Sequence, residues 1–297
     1  TLSVTIENIL GGSLAITTEV PLSWSRQDIE QRLAFKGGRY TRVNTLLSIL
    51  SGGILTVIFY ALLIPLEGTF FAEMFTRRGF IPYLICFFSL WSLSILFIKY
   101  RKLSLQKKSL AYIVVPSDAS FVLSSTTVDT VIDNIYECVD DPRHFVLFNR
   151  IIIALSNLRN LGRVTDVDEI LRSQAVHDES SMETSYSLLS GFIWAIPVLG
   201  FIGTVLGLSQ AIGGFGKVLQ TSEELSQIKT SLQGVTGGLA TAFETTLQAL
   251  IAALFIQLIL TFLKKSEEEF LDSCSEYCIT NIVNKLRIMP FENQNDN

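Results

Sequence analysis

The side chains best suited to chemistry in this sequence are two threonines, a glutamate and a glutamine that lie inside an apolar stretch. Thr241, Glu244, Thr245 and Gln248 fall at positions i, i+3, i+4 and i+7, which is one face of an α-helix. Inserting an acidic residue deep in a membrane helix costs at least about 2.5 kcal/mol, so such a residue faces the protein interior or water. Glu244 therefore has two interpretations. It is either a group on an ion or proton path, or a protonated acid that hydrogen-bonds a neighbouring helix.

Glu244 is the one formal charge inside the apolar stretches of the chain. A single carboxylate cannot relay a proton across about 30 Å of hydrocarbon. If this chain moves ions, we expect it to do so as an oligomer, with a partner that contributes another polar group, or along a water-filled seam. Thr204, which follows Gly203 in another apolar stretch, is the natural partner of Glu244 and its neighbours across a helix interface.

Four apolar stretches are long enough to cross a bilayer, whose core requires about 20 apolar residues in a helix. They run over 46–66, 80–98, 188–214 and 234–263. The chain is 48% hydrophobic and 17% charged, which indicates that part of its surface faces lipid. A net charge of −5 provides no global basic field, so we expect no nucleic-acid partner. We therefore predict an all-α integral membrane protein with four transmembrane helices, surrounded by membrane lipid.

Lysines and arginines near the ends of the spans predict the orientation. They cluster before the first span, after the second and after the fourth, at Arg32, Lys36, Arg39, Arg42, Lys99, Arg101, Lys102, Lys107, Lys108, Lys264 and Lys265. These three regions share one side of a four-span protein, so that side is expected to be cytoplasmic. Arg77 and Arg78 in the first loop oppose this orientation but are outnumbered.

The predicted organisation has nine segments. Residues 1–43 form a cytoplasmic N-terminal segment in which SWSRQDIEQRLAF predicts a short surface helix, and 100–185 form a mostly helical cytoplasmic domain that begins with extended, strand-like SLAYIVVP and SFVLSS. The spans are 44–66, 80–99, 186–214 and 234–263; the outer loops are 67–79 and 215–233; a cytoplasmic helix and a disordered tail occupy 264–297.

Small residues recur at a spacing of four in the third and fourth spans, a pattern typical of membrane helices that pack closely. They are Gly203, Gly207 and Ala211, with Gly200 one turn earlier, then Gly234 and Gly238, and Ala249 and Ala253. Pro197 removes a backbone hydrogen bond and is expected to kink the third helix near its middle. The third helix is therefore either a fixed, kinked packing helix or one side of a sliding seam.

We expect no enzymatic activity and no cofactor or metal. The sequence offers no nucleophile with a base and no phosphate-binding loop. The glycines of GFIGTVLG lie inside an apolar span and not between a strand and a helix, which argues against a nucleotide-binding motif. Cys274 and Cys278 lie one helical turn apart without a histidine nearby, so we expect two reduced cysteines on a helix face.

Two stretches together resemble the paired signature of the MotA/TolQ/ExbB proton-channel family. They are GFIWAIPVLGFIGTVLGLSQAI, residues 191–212, and GLATAFETTLQALIAAL, residues 238–254. The resemblance covers about residues 182–265. The layout of four spans with a large loop after the second is similar to MotA. The sequence GTVLG is closer to TolQ and ExbB, which have three spans.

The resemblance implies a ring-forming subunit of the bacterial inner membrane. In this family five copies place their last two helices around two copies of a single-span partner of the MotB, TolR or ExbD kind, whose membrane helix carries an essential aspartate. Protons, or sodium ions, drive the ring as a stator or rotary motor that performs work on a flagellar rotor or on the cell envelope. By motif, Thr204 and Thr246 match the threonines that face this aspartate, and Pro197 matches the third-helix proline.

Two departures limit the resemblance. TolQ and ExbB place a glutamate about one turn earlier, where this chain has Thr241, and no position matches the charged residues by which MotA engages the rotor. The predicted ion pathway therefore comprises Thr204, Thr246, Glu244, Thr241 and Thr245, and the predicted packing and kink residues are Pro197, Gly200, Gly203 and Gly207. Two alternatives stay open, a self-contained ion channel or transporter that uses Glu244, and a non-conducting membrane scaffold.

Overall fold

The computed structural model of the chain describes residues 21–35, 37–116, 121–124, 126–161, 164–221 and 225–286. The described residues are almost entirely helical, and their β-structure consists of two isolated bridges, Leu22 with Val139 and Leu123 with Leu286. The predicted all-α class is therefore confirmed. The tail that we expected to be disordered, residues 291–297, lies outside the described residues.

Ten α-helices follow one another in the described part of the chain. They are α1 (Trp24–Gln27), α2 (Ile29–Arg32), α3 (Thr45–Leu63), α4 (Phe70–Thr76), α5 (Ile81–Lys107), α6 (Val128–Cys138), α7 (Val146–Leu161), α8 (Val164–Ser185), α9 (Ser187–Thr221) and α10 (Leu225–Asn281), with short 3₁₀ turns at Ile64–Leu66, Lys108–Ala111, Pro142–His144 and Val283–Lys285.

Four of these helices are long and apolar enough to cross a membrane, namely α3, α5, α9 and α10. They overlap the four predicted spans, so the prediction of four helices able to span a membrane is confirmed. α5 and α10 continue well past the expected ends of the second and fourth spans. At 1.5 Å per residue the 57 residues of α10 extend about 85 Å. The membrane-capable helix α10 therefore also extends beyond the predicted span and packs against α7 and α8.

The expected loop over 215–233 is wrong in its extent. α9 continues to Thr221 and α10 resumes at Leu225, so residues 222–224, which the structure does not describe, are all that lies between them. The prediction rested on the extent of the apolar stretches. Gly213 and Gly214 do not end α9, because a glycine in a helix costs only about 1 kcal/mol relative to alanine.

The two segments with strand-like sequences, SLAYIVVP and SFVLSS, are not strands where the structure describes them. Residues 108–111 form a 3₁₀ turn, and Tyr112 and Val114 are held to α10 because the hydroxyl of Tyr277 donates to the Tyr112 carbonyl at 3.0 Å and accepts from the Val114 amide at 3.2 Å. Leu123 donates its amide to the Lys285 carbonyl at 3.0 Å. These segments therefore pair with the long helix instead of with each other.

The length of α5 between two of its contacts is comparable with the thickness of a bilayer core. Its first residue, Ile81, lies beside Gly203, and its residue Lys99 forms a buried ion pair with Glu267 at 3.4 Å. The 18 residues between Ile81 and Lys99 extend about 27 Å, which is close to the hydrocarbon thickness of about 30 Å. Glu244, which is held by Arg78 just before α5, thus lies near the level of Ile81 at the start of this helix.

Residues 21–44 close over the end of α5 that carries Lys99. The predicted surface helix is divided into α1 and α2 at Asp28, whose amide ends α1 and whose carboxylate accepts from the Gln31 amide as the N-cap of α2. Lys102 is fully buried and hydrogen-bonds Glu30 and the Arg42 carbonyl. Lys102, which we counted only as a basic residue near a membrane end, therefore lies at the centre of this contact.

One apolar core extends from the long helices into the domain formed by α6 to α8 and the end of α10, where it includes Phe145, Leu147, Phe148 and Ile151. Arg150 on α7 crosses this core and pairs with Asp178 on α8 at 3.0 Å. Cys274 and Cys278 are buried free thiols of α10 in the same region.

Candidate functional site

The contact between α9 and α10, called here the α9–α10 seam, brings Thr204 and Thr246 together. Their hydroxyl groups hydrogen-bond each other, and both also reach the carbonyl of Gly200, Thr246 at 3.0 Å and Thr204 at 3.2 Å. Both side chains are half-buried. We call these residues the threonine pair. Since a hydroxyl can donate and accept, the pair can exchange its hydrogen bonds for bonds to an ion or to a carboxylate that approaches the seam.

Two glycines allow the close approach that makes this contact. A Cβ atom at Gly200 would lie 2.5 Å from the Cβ of Ala249, and one at Gly207 would lie 3.0 Å from the carbonyl oxygen of Gly238. Real Cβ atoms do not approach other atoms this closely, so any larger residue pushes the helices apart. Gly203 faces Thr245, whose hydroxyl would be 2.7 Å from an added Cβ. Gly200, Gly203, Gly207 and Gly238 thus lie in tight contacts as predicted, whereas Gly234 does not, since an added Cβ there would meet no atom within 4 Å.

Glu244 has a partner that we did not predict. Arg78, in the connection between α4 and α5, pairs with it through Nε at 2.8 Å from Oε2 and NH2 at 3.0 Å from Oε1. The third guanidinium nitrogen donates to the hydroxyl of Thr241 at 3.2 Å. The side chains of Arg78 and Glu244 are 23% and 15% exposed, so the pair is largely shielded from solvent.

A second contact ties the same edge of α10 to α4. The side-chain amide of Gln248 donates to the carbonyl of Met74 at 2.8 Å. Thr245, between these groups and α9, is buried and bonds back to the carbonyls of Thr241 and Ala242 in its own helix. Thr245 is therefore a packing residue against Gly203 in this arrangement.

The five predicted pathway residues thus divide between two edges of α10. Successive residues of a helix are rotated by about 100°, so Glu244 and Thr246 point about 160° apart. Thr241 and Glu244 face α4 and α5, and Thr246 faces the α9–α10 seam with Thr204. The helical spacing correctly grouped Thr241, Glu244 and Gln248, but the expected pairing of this group with Thr204 is not formed.

Arg78 was missed because we counted it only as a charge near a membrane end. Its signal in the sequence is indirect: the spans contain one acid, and the short first loop contains two arginines with apolar residues around them. Nothing in the spacing distinguishes Arg78 from Arg77, which instead pairs with Glu73 at 3.1 Å on the surface. The buried Lys99–Glu267 pair was missed in the same way.

Pro197 lies within α9, which continues on both sides of it. Proline has no amide hydrogen, so the carbonyl of Ile193 receives no hydrogen bond from residue 197. This leaves a polar backbone atom part of the way along the helix, between the threonine pair and the start of α9.

Comparison with known proteins identifies a family domain in part of the chain. Residues 149–276 match the model of the MotA/TolQ/ExbB proton channel family. The match begins at α7 and covers α8, α9 and most of α10, including the threonine pair, Glu244 and Pro197; it leaves out α3 to α5 and therefore Arg78. No curated protein and no solved structure matches the chain significantly. The chain carries, at residues 149–276, a domain of the MotA/TolQ/ExbB proton channel family.

Proposed function

We propose that this chain is the ring subunit of an ion-driven channel and motor of the bacterial inner membrane. Its family domain and its four membrane-capable helices support a function in ion transport. In the proposed complex, five copies of α9 and α10 surround two copies of a single-span partner of the MotB, TolR or ExbD kind. Both termini and the domain of α6 to α8 lie in the cytoplasm.

The observation that carries the proposal is the threonine pair at the α9–α10 seam. Its hydroxyl groups are half-buried and lie beside the carbonyl of Gly200, so three oxygen atoms converge at one point. Such a point can hydrogen-bond a protonated carboxyl group or replace part of the hydration shell of a sodium ion. The partner's aspartate supplies the titratable group, since Glu244 is directed to the other edge of α10 and is held by Arg78.

The energy available to the complex is adequate for mechanical work. A membrane potential contributes about 2.3 kcal/mol per charge per 100 mV. A few ions therefore supply enough free energy to shift the ring from one packing arrangement around its partner to another. We propose that this movement acts on a rotor or on the cell envelope.

The test is ion flux through the complex of this chain with its partner in liposomes, driven by an imposed potential. Thr204→Val together with Thr246→Val is expected to lower the flux at least about tenfold, because valine keeps the shape of threonine but removes the hydroxyl group. Thr236→Val is the matched control, since Thr236 is exposed on α10 and bonds only the Leu232 carbonyl. Dyes for pH and for sodium report which ion passes.

Wild-type flux from the doubly substituted complex would contradict this function. Flux from this chain without any partner, lost in Glu244→Gln, would instead support the self-contained channel. A complex that conducts neither protons nor sodium ions would support the non-conducting scaffold.

A further inference from the structure

A polar cavity of about 640 Å³ lies at the start of α9, at the opposite end of the membrane layer from Arg78. Its walls include Ser187 and Ser190 of α9 and Gln257, Thr261, Lys264 and Glu268 of α10. Apart from Leu260, every residue that lines it is polar. Such a concentration of polar groups beside membrane-spanning helices is costly unless water or a ligand fills the space.

The cavity lies on the same edge of the two helices as the threonine pair. At about 100° per residue, Gln257 is rotated from Thr246 by about 20°, and Thr261 by about 60°. On α9, Ser190 is rotated from Thr204 by about 40°. The cavity and the threonine pair therefore lie along one edge of the α9–α10 seam, whereas Glu244 lies on the other side of α10.

About 16 Å of helix separates Thr246 from Gln257, and the α10 residues on this edge between them are Leu250 and Ala253. The facing part of α9 contains Pro197, which leaves the Ile193 carbonyl without its helical donor. This edge of the seam thus has polar groups at both ends and the Ile193 carbonyl between them. An ion that passes the threonine pair would meet polar groups again at the cavity.

Two lysines and two glutamates line the cavity, and both lysines have carboxylate partners. Lys264 lies 3.4 Å from Glu183 and 3.7 Å from Glu268, and Lys265 lies 3.9 Å from Glu269, so neither lysine is left as a free site for an anion. The amide of Gln257 donates to Thr261 at 3.3 Å, which leaves the Gln257 side-chain oxygen available as an acceptor. Glu183 and Glu268 are more than 45% exposed, so the cavity is open to water on this side.

The wall of the cavity towards α5 is closed. Tyr186 lines this wall, and its hydroxyl donates to Glu267 at 2.6 Å. Glu267 is 3% exposed and also pairs with Lys99. An ion in the cavity therefore leaves away from α5, past Glu183 and Glu268.

We propose that this cavity is the cytoplasmic exit site of the transported cation. Oxygen atoms of Ser190, Gln257 and Thr261 take over its hydration, and the carboxylates of Glu183 and Glu268 accept the proton, or pair with the sodium ion, before release to water. This assignment rests on the proposed function, because it needs an ion that has passed the threonine pair.

The first test measures water access and does not depend on ion flux. Cysteines are introduced at Gln257 and Thr261 in the complex after Cys86, Cys138, Cys274 and Cys278 are replaced by serine or alanine. A membrane-impermeant thiol reagent is expected to label Gln257→Cys and Thr261→Cys in inside-out vesicles and not in right-side-out vesicles. Leu258→Cys is the matched control: Leu258 is 48% exposed at the same height on a lipid-facing edge and is expected to react little.

Equal, low reactivity of all three cysteines would overturn the exit site and leave the proposed function intact. The second test is flux, which Gln257→Leu together with Thr261→Val is expected to reduce at least about fivefold, while Leu258→Ala leaves it unchanged. Labelled cysteines combined with normal flux in the double variant would also overturn the exit site. Absence of flux in the wild-type complex would reject the proposed function itself.

Discussion

At the scale of single residues, the ion pair with Arg78 changes the interpretation of Glu244. The helical spacing of Thr241, Glu244 and Gln248 correctly indicated a polar face on α10, and an acid among apolar residues correctly indicated a specific partner. The identity of that partner could not be predicted, because Arg78 reaches α10 from a loop that is distant in sequence. The same limit applies to Lys99 and Glu267, whose charges follow the expected positions but whose burial depends on packing.

The Arg78–Glu244 pair gives a prediction for stability. Arg78→Gln is expected to destabilise the protein by about 1–3 kcal/mol, because it leaves a largely shielded carboxylate without its cation. Arg77→Gln is the control, since Arg77 and Glu73 are 63% and 38% exposed and such pairs contribute no more than about 1 kcal/mol. Thermal unfolding in detergent measures both variants.

Charge exchange tests whether the pair itself matters. Arg78→Glu combined with Glu244→Arg is expected to recover part of the stability that either single change removes. Equal melting temperatures for Arg77→Gln and Arg78→Gln would show that the pair contributes nothing, and would return Glu244 to the list of candidate ion carriers.

At the scale of helices, the α9–α10 seam is defined by glycines that the sequence pattern identified. The spacing of four correctly selected Gly203 and Gly207 as contact residues, and Gly200, one turn earlier, is a contact residue as well. The spacing did not show how far the helices extend. α9 continues through Gly213 and Gly214 to Thr221, although an added Cβ at either glycine would meet no atom within 4 Å.

The seam gives a second prediction. Gly200→Ala is expected to destabilise the protein, because the new methyl group would lie 2.5 Å from the Cβ of Ala249. Gly213→Ala is the matched control: an added Cβ there meets no atom within 4 Å, and alanine gains up to about 1 kcal/mol in helix propensity. Thermal unfolding of the two variants is expected to shift in opposite directions.

A compensating change makes this prediction specific to one contact. Ala249→Gly removes the group that the new methyl meets, so Gly200→Ala with Ala249→Gly is expected to unfold closer to the wild type than Gly200→Ala alone. Destabilisation by Gly200→Ala that Ala249→Gly does not relieve would show that Gly200 acts through another contact.

At the scale of the whole molecule, residues 21–44 join the membrane helices to the domain of α6 to α8. Asp140 carries this contact at one end: its carboxylate accepts from the Trp24 amide and the Ser23 hydroxyl, both at 2.7 Å. The order of spans and domain was predictable from hydropathy. The docking of this N-terminal segment was not, because single polar groups such as Asp140 have no periodic signature.

Asp140 gives a prediction for pH dependence. Burial raises the pKa of Asp140, but hydrogen bonds from Trp24, Ser23 and Ser25 outweigh burial and hold it below its usual value of 3.8. A lowered folded-state pKa stabilises the contact above the unfolded value of about 4 and loses this effect as the pH falls through the folded-state value. Hydrogen exchange of residues 21–33 is therefore expected to accelerate below about pH 4.

Substitution of Asp140 separates this effect from general acid unfolding. Asp140→Asn is expected to accelerate exchange of residues 21–33 already at pH 7 and to weaken the acid-dependent step. Asp129→Asn is the control, because Asp129 is 65% exposed and pairs only with Arg159. Unchanged protection at pH 7 in Asp140→Asn would mean that other contacts hold this segment.

The proposed function depends most directly on assembly, since the threonine pair needs a partner that brings the titratable group to the α9–α10 seam. The decisive measurement is the native mass of the complex, purified gently from its own membranes, with identification of every chain. The account predicts five copies of this chain with two copies of a small protein that has one membrane span containing an aspartate. A monomer or a dimer of this chain alone would contradict the ring, and with it the ion pathway proposed for the threonine pair.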